Sequence, residues 1–287
     1  MKALAAIALM AGLSTGALAW PQRGVAPALF RERGLFDAAL ASAAGVRPLD
    51  EVAALIVPHH LLAADLIARG FALAGGQRPE RIVLIGPDHY HRGRTLVSVD
   101  LRDFETVYGT VPADLDGAAA LLKDRRVSAS SLFARDHAFQ ALLPFIARRW
   151  PGVPVLAVAI GARARADTWQ AVAAALPAGG LLVTSTDFSH YLPTAQADER
   201  DRRTLAVLAA GDPAGASSLD QPQNTDCRGA LYVTLARAAG AVVQVQRNSS
   251  YYAGRPVLSS TSYMVVTFRR TARTAPAPTA ARSPAPR

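Results

Sequence analysis

The 287-residue chain carries six histidines, and five of them fall just beyond runs that read as β-strands. His59 and His60 follow the apolar run ending at Val57, after Pro58. His89 and His91 follow the run ending at Ile85, through Gly86-Pro87-Asp88. His190 follows the run ending near Thr184, through Ser185-Thr186-Asp187-Phe188-Ser189. The sixth, His137, opens a helical stretch after Asp136. Imidazole is a good ligand for iron, zinc and copper. Two or three imidazoles with one thiolate or carboxylate, and coordination positions left open, make a reactive metal site. The candidate anionic partners are Cys227, Asp88, Asp136 and Asp187. Cys227 stands before a predicted helix, where the helix N-terminus favours the thiolate. The plainer fate of a lone Cys is a small core residue. Asp187 and His190 read as a carboxylate-oriented acid/base pair beside the metal. A hydrolase built on Ser185 or Ser189 finds no support, because no Gly-x-Ser-x-Gly elbow lies near. No Gly-rich loop is present to cradle a phosphate.

The elements that must position these residues follow from hydrophobic patterning. Short apolar, β-branched runs recur at Val52–Val57, Arg81–Ile85, Thr95–Val99, Val153–Ile160, Leu181–Thr184, Val242–Val245 and Tyr263–Phe268. Each has the length of a buried strand. Helical spacing appears over Leu61–Ala74, Asp114–Leu122, His137–Arg149, Thr168–Leu176, Ala197–Ala210 and Gly229–Ala239. Strands alternating with helices predict a single α/β domain, with a mixed, mostly parallel central sheet flanked by helices. Ligands in such sheets bind beyond the carboxyl ends of the strands, where the histidines fall.

Composition bounds the rest. A hydrophobic fraction of 51% excludes a disordered chain. One Cys excludes a disulfide scaffold. The net charge of +9 is concentrated at the ends, since five arginines lie in the last 19 residues and Lys2 in the first. A basic face for nucleic acid is therefore not indicated. Residues 1–19 read as a signal peptide with cleavage after Ala19, which predicts export to a periplasm and no membrane span in the mature chain. Residues 20–268 form the predicted domain, and residues 269–287 read as a solvated Ala/Pro/Arg tail.

At the level of motifs the chain resembles the Memo family, called AmmeMemoRadiSam system protein B in bacteria. That family is similar to the class III non-haem-iron extradiol dioxygenases of the LigB type. The resemblance rests on Pro58-His59, on Gly86-Pro87-Asp88-His89, and on Asp136-His137 with Leu143-Pro144-Phe145. It continues through Ser185-Thr186-Asp187-Phe188-Ser189-His190, Asn224-Thr225-Asp226-Cys227 and Ser259-Ser260-Thr261-Ser262-Tyr263. It implies a LigB-like, Memo-type fold, with His59, His89 and Cys227 as metal ligands and His137, Asp187 and His190 lining the site. The chain departs from the family pattern after the Pro-His, where His60-Leu61-Leu62 replaces Ala-Gly-Tyr. Asp88 stands for Ser, Asp136 for Glu and Gln140 for a second Glu, and Arg228 interrupts the Cys-Gly.

The combined expectation is an exported protein with a mononuclear metal site and dioxygenase-like redox chemistry on a small-molecule or peptide substrate. Iron(II) is the first choice by resemblance, and copper the rival because thiolate and imidazole together suit it. The alternative is a non-catalytic periplasmic copper- or iron-binding protein, or a peptide-binding module.

Overall fold

The computed structural model describes residues 24–269. The expected leader, and the expected tail beyond Arg269, lie outside the described residues. The strands are β1 (Val25–Ala26), β2 (Val52–Val57), β3 (Ile82–Pro87), β4 (Val97–Val99), β5 (Asp103–Thr106), β6 (Gly109–Val111), β7 (Val127–Ala129), β8 (Val155–Ile160), β9 (Leu181–Ser185), β10 (Phe188–Leu192), β11 (Ala239–Asn248) and β12 (Ser260–Arg269). Nine of them form one mixed sheet in the order β10-β12-β2-β9-β3-β8-β4-β7, with β11 paired to β12. β1, β5 and β6 make a small separate sheet.

The centre of the large sheet is parallel: β2 pairs with β9, β9 with β3, and β3 with β8. These strands are nearly continuous apolar runs because helices cover both faces. β3 and β8 are buried along their whole length. Alternation then divides the core in two. Leu55, Val57 and Leu84 face one cluster, with Phe71, Phe139 and Phe145. Ala54, Ile56, Val83 and Ile85 face the other, with Trp169, Leu231 and Val233. Antiparallel strands close the sheet: β12 beside β2, and β4 beside β8.

The expected strands are all present, and the α/β class with a mixed sheet is as predicted. Two local differences bear on the site. The segment carrying His190 is not a loop but strand β10, paired to β12 through register shifts at each step. The expected helix over His137–Arg149 is two helices, His137–Gln140 and Leu143–Arg149. Pro144 lies in the first turn of the second. Its ring cannot donate a hydrogen bond and would clash with the carbonyl four residues back, so the helix must restart there.

Helix Arg228–Arg237 begins directly after Asp226-Cys227 and packs tightly through Gly229. A Cβ at Gly229 would lie 2.5 Å from Trp169 Nε1 and 2.9 Å from Ile160 Cγ2. Gly229→Ala should therefore overpack this contact and lower the unfolding free energy by about 1–3 kcal/mol. Denaturant titration measures this, and an unchanged midpoint would show that Trp169 yields freely.

Candidate metal centre

Parallel strands end on the same side, so β2, β3, β8 and β9 deliver their carboxyl-end residues to one place. There a cavity of about 600 Å³ opens. All six histidines of the sequence line it: His59, His60, His89, His91, His137 and His190. The carboxylates of Asp88, Asp187 and Asp226 also line it.

Three of the rings form a tight group. One nitrogen each from His59, His89 and His137 lie within 4.8 Å of one another. The His89 and His137 rings stack at 4.2 Å, and His59 meets both edge-on, at 4.8 and 5.0 Å. The backbone explains the convergence. His59 follows β2 and is fully buried, with its N–H donating to Asp187 Oδ1 at 3.0 Å. The His89 N–H donates to Asp136 Oδ2 at 3.0 Å, while Asp136 Oδ1 also caps the helix that His137 begins. One carboxylate thus ties the β3 loop to His137.

The second nitrogen of each ring decides the chemistry of the first. Ser185 Oγ donates its proton to the carbonyl of Ala138 at 2.5 Å, so it accepts from His59 Nδ1 at 3.0 Å. His89 Nδ1 donates to Asp136 Oδ1 at 2.8 Å. Both neutral rings therefore present a bare lone pair at Nε2. Those two nitrogens face one atom, Asp226 Oδ2, at 3.1 Å from His59 and 3.4 Å from His89. This oxygen is buried and has no well-aligned hydrogen bond. Asp226 Oδ1 is held by the Thr186 hydroxyl at 2.6 Å, which aims Oδ2 at the rings. Two lone pairs converging on a carboxylate oxygen repel one another unless protons or a cation lie between them. Two imidazoles and a carboxylate on one face are also a recurrent donor set for a divalent metal. The residues present fit a metal ion.

Electrostatics tells the same story in the metal-free chain. Burial lowers the His59 pKa, but the charges of Asp187 and Asp226 outweigh it and the value is raised. Burial also opposes charge on His89, yet its hydrogen bond to Asp136 and the nearby Asp226 carboxylate lift it to about 10. Asp226 moves well below the usual carboxylate range: burial resists, but the charge His59 carries when protonated, 3.1 Å away, prevails. His137 moves the other way, to about 4, through burial and the charges of His59 and His89. It is the neutral imidazole of the group.

The remaining expected residues take other places. Cys227 is buried beside the cavity but not in it, packed with the apolar cluster on one sheet face. The thiolate expected from its helix-start position is opposed by burial and by the charge of Asp226, which push the thiol up. The residue that reaches the cavity from this segment is its neighbour. Asp226 donates its N–H to the Asp187 carbonyl at 3.1 Å, and Thr225 bridges antiparallel to Phe188. The Asp226 carboxylate enters the cavity, and the Cys227 thiol packs in the apolar cluster instead. Asp187 lines the cavity, but its carboxylate holds the His59 backbone and lies 3.7 Å from His59 Nε2. It makes no hydrogen bond to His190, whose buried Nδ1 has no partner. Asp88 spends both oxygens on the N–H groups of Arg92 and Gly93, as a loop clasp. Sequence reasoning passed over Asp226, although the segment holding it was singled out. It also passed over Ser185 and Thr186 as orienting groups.

Comparison with known proteins identifies the family. The family model described as Memo-like protein matches residues 35–264. A MEMO1 family protein of Methanopyrus kandleri is 28% identical over 182 residues, spanning 59% of this chain and 64% of that one. One from Methanothermobacter thermautotrophicus is 28% identical over 181 residues, spanning 59% and 65%. The chain thus matches slightly less than two-thirds of the length of these curated relatives. A crystal structure of the uncharacterized protein JW3007 from Escherichia coli K12 aligns with 74% of this chain and 98% of its own, at 16% identity and a TM-score of 0.47. No helix among the described residues is long and apolar enough to cross a membrane. With the family model covering most of the folded body, the chain belongs to the Memo-like protein family.

Proposed function

We propose that the protein holds one divalent metal on His59 Nε2, His89 Nε2 and Asp226 Oδ2, with His137 at its edge, and uses it for non-haem redox chemistry of the dioxygenase type. The observation that carries this is Asp226 Oδ2, buried between two imidazole nitrogens whose ring partners are already committed. Iron(II) is the metal of choice, because two imidazoles and one carboxylate with open positions suit it. The case for copper rested on a thiolate, and Cys227 does not line the cavity. The open cavity favours turnover over storage, since a storage site closes around its ion.

When bound, the ion would supply a Lewis-acidic, redox-active centre for oxygen and a substrate donor atom. The chain's own residues do the rest. Ser185 and Asp136 fix the two ligand rings, and Thr186 aims Asp226. His137, neutral across the physiological range, offers a hydrogen-bonding nitrogen without adding charge. His190 lines the cavity with its Nδ1 unpartnered, and would exchange a proton with the substrate. Export through residues 1–19 belongs to the same reading and places this chemistry outside the cytoplasm.

The ligand assignment has a direct test. Elemental analysis of the chain from Trp20 onward, purified without oxygen or added histidines, should give about one iron per chain. His89→Ala and Asp226→Asn should abolish this, while Cys227→Ala keeps it. Metal lost with Cys227→Ala but kept with Asp226→Asn would overturn the assignment. Asp136→Asn, which removes the carboxylate behind His89, should weaken binding by about 10–100-fold.

Proton linkage gives a second test. His89, lifted to about 10, is protonated in the metal-free chain at neutral pH, and His59 is raised as well, so binding must displace protons. Metal uptake should release protons at pH 7, and affinity should rise with pH. Calorimetry in buffers of different ionisation enthalpy reads the count. The metal-free fold should behave in the opposite sense. His89 is raised from 6.5 to about 10, so its charged form stabilises the fold below pH 6.5, and that contribution is lost towards pH 10. Thermal unfolding of metal-free protein across this range checks the sign.

A further inference from the structure

One wall of the cavity leads away from the metal ligands. His60 lines the cavity, and its Nδ1 lies 2.7 Å from the hydroxyl of Tyr263. Tyr263 is fully buried in β12. The other neighbour of its hydroxyl is Ser249 Oγ at 3.4 Å, which donates its own proton to the Thr261 carbonyl. In the His60 tautomer that leaves Nδ1 unprotonated, the 2.7 Å contact hands the Tyr263 proton to the imidazole. Aromatic rings continue outward from there. Ring centroids stand 5.8 Å apart for His60 and Tyr263, 5.9 Å for Tyr263 and Tyr252, and 5.2 Å for Tyr252 and Tyr251. Tyr251 is 58% exposed.

Each phenol along this line has its own outlet for a proton. Tyr252 donates to Asp65 Oδ1 at 2.8 Å. Asp65 is held by Arg247 at 2.5 Å, and the guanidinium of Arg247 lies 4.0 Å over the Tyr251 ring. Packing alone gives no reason for hydroxyls here, because a buried phenol costs more than a phenyl ring unless it is hydrogen-bonded. Three of the chain's seven tyrosines share this one path.

We propose that His60, Tyr263, Tyr252 and Tyr251 form a relay that carries oxidising equivalents from the cavity to the surface. It rests on the reading of the cavity as a redox centre. A one-electron oxidant in the cavity removes an electron from Tyr263, whose O–H proton passes along its hydrogen bond to His60 Nδ1. A neutral phenoxyl radical remains. Tyr252 returns an electron to Tyr263, the proton comes back from His60, and the Tyr252 proton moves to Asp65. Tyr251 then refills Tyr252 with an electron while Asp65 returns the proton, and Tyr251 loses its own proton to water. A small-molecule reductant in solution restores Tyr251 with one electron, and water supplies the proton. The net change is one electron from the external reductant to the oxidant in the cavity. The relay discharges oxidant that finds no substrate.

The test does not need the metal. The one cysteine is buried, so a thiol introduced by His91→Cys at the cavity rim takes a ruthenium photosensitiser selectively. Flash oxidation of this full-length chain, with a sacrificial electron acceptor and a nitroso spin trap, generates the oxidant at the cavity. The expected result is a tyrosyl signal by electron paramagnetic resonance and a trap adduct on Tyr251 by peptide mass spectrometry. Tyr263→Phe should abolish the adduct, and Tyr251→Phe should keep the buried radical while losing the surface adduct. Equal adduct on Tyr251 with and without the Tyr263 hydroxyl would overturn the relay. If Tyr263→Phe fails to fold by thermal melting, Tyr252→Phe cuts the same path one ring further out, with the same readout. Metal content is measured separately, so failure of the metal reading and failure of the relay give different results.

Discussion

Two imidazoles and a carboxylate pointing at one another set the terms for this structure. Left neutral, His59 and His89 would push their lone pairs against Asp226 Oδ2. The fold holds that arrangement from behind, with Ser185 on one ring, Asp136 on the other, and Thr186 on the acid. None of the three supports comes from the same element as the residue it steadies. The parallel sheet is what allows this. β2, β3 and β9 end side by side, so a residue leaving one strand can be gripped by a residue leaving the next. Apolar burial on both faces fixes those ends, and the polar groups beyond them inherit that rigidity.

The coarse architecture was legible because it depends on long-lived patterns. Continuous apolar runs such as Ile82–Ile85 and Val155–Ile160 can only be strands covered on both sides, and the helical stretches between them left little choice of class. The gathering of the histidines was legible for the same reason, since residues beyond the ends of parallel strands share one rim. What the sequence could not carry was direction. Whether Asp226 or Cys227 faces the cavity depends on the local backbone of a short segment anchored by the Thr225 bridge to Phe188, and composition does not carry that. The pairing of Asp187 with His190 failed similarly. Three residues apart looks like a dyad, but the Asp187 carboxylate is engaged with the His59 backbone, and His190 Nδ1 has no partner.

Charge distribution separates the roles of the histidines further. His59 and His89 sit between carboxylates and are drawn towards the charged state, whereas His137, stacked on His89, is held neutral by burial and by its neighbours' charge. Five of the six histidines thus take different settings: two drawn towards charge, a neutral ring stacked on His89, an unpartnered ring in β10, and a ring joined to the aromatic core through Tyr263.

The segment Asn224–Cys227 has a consequence for how such a site changes over time. Its two candidate donors stand on opposite sides of one short length of chain, one hard and anionic, the other soft and sulfur-based. Which of them would meet an ion placed between His59 and His89 is set by this short length of backbone, and no strand of the sheet supplies either donor. Under the ligand set proposed above, a change between a sulfur and an oxygen donor would be a local event that leaves the other walls of the pocket untouched.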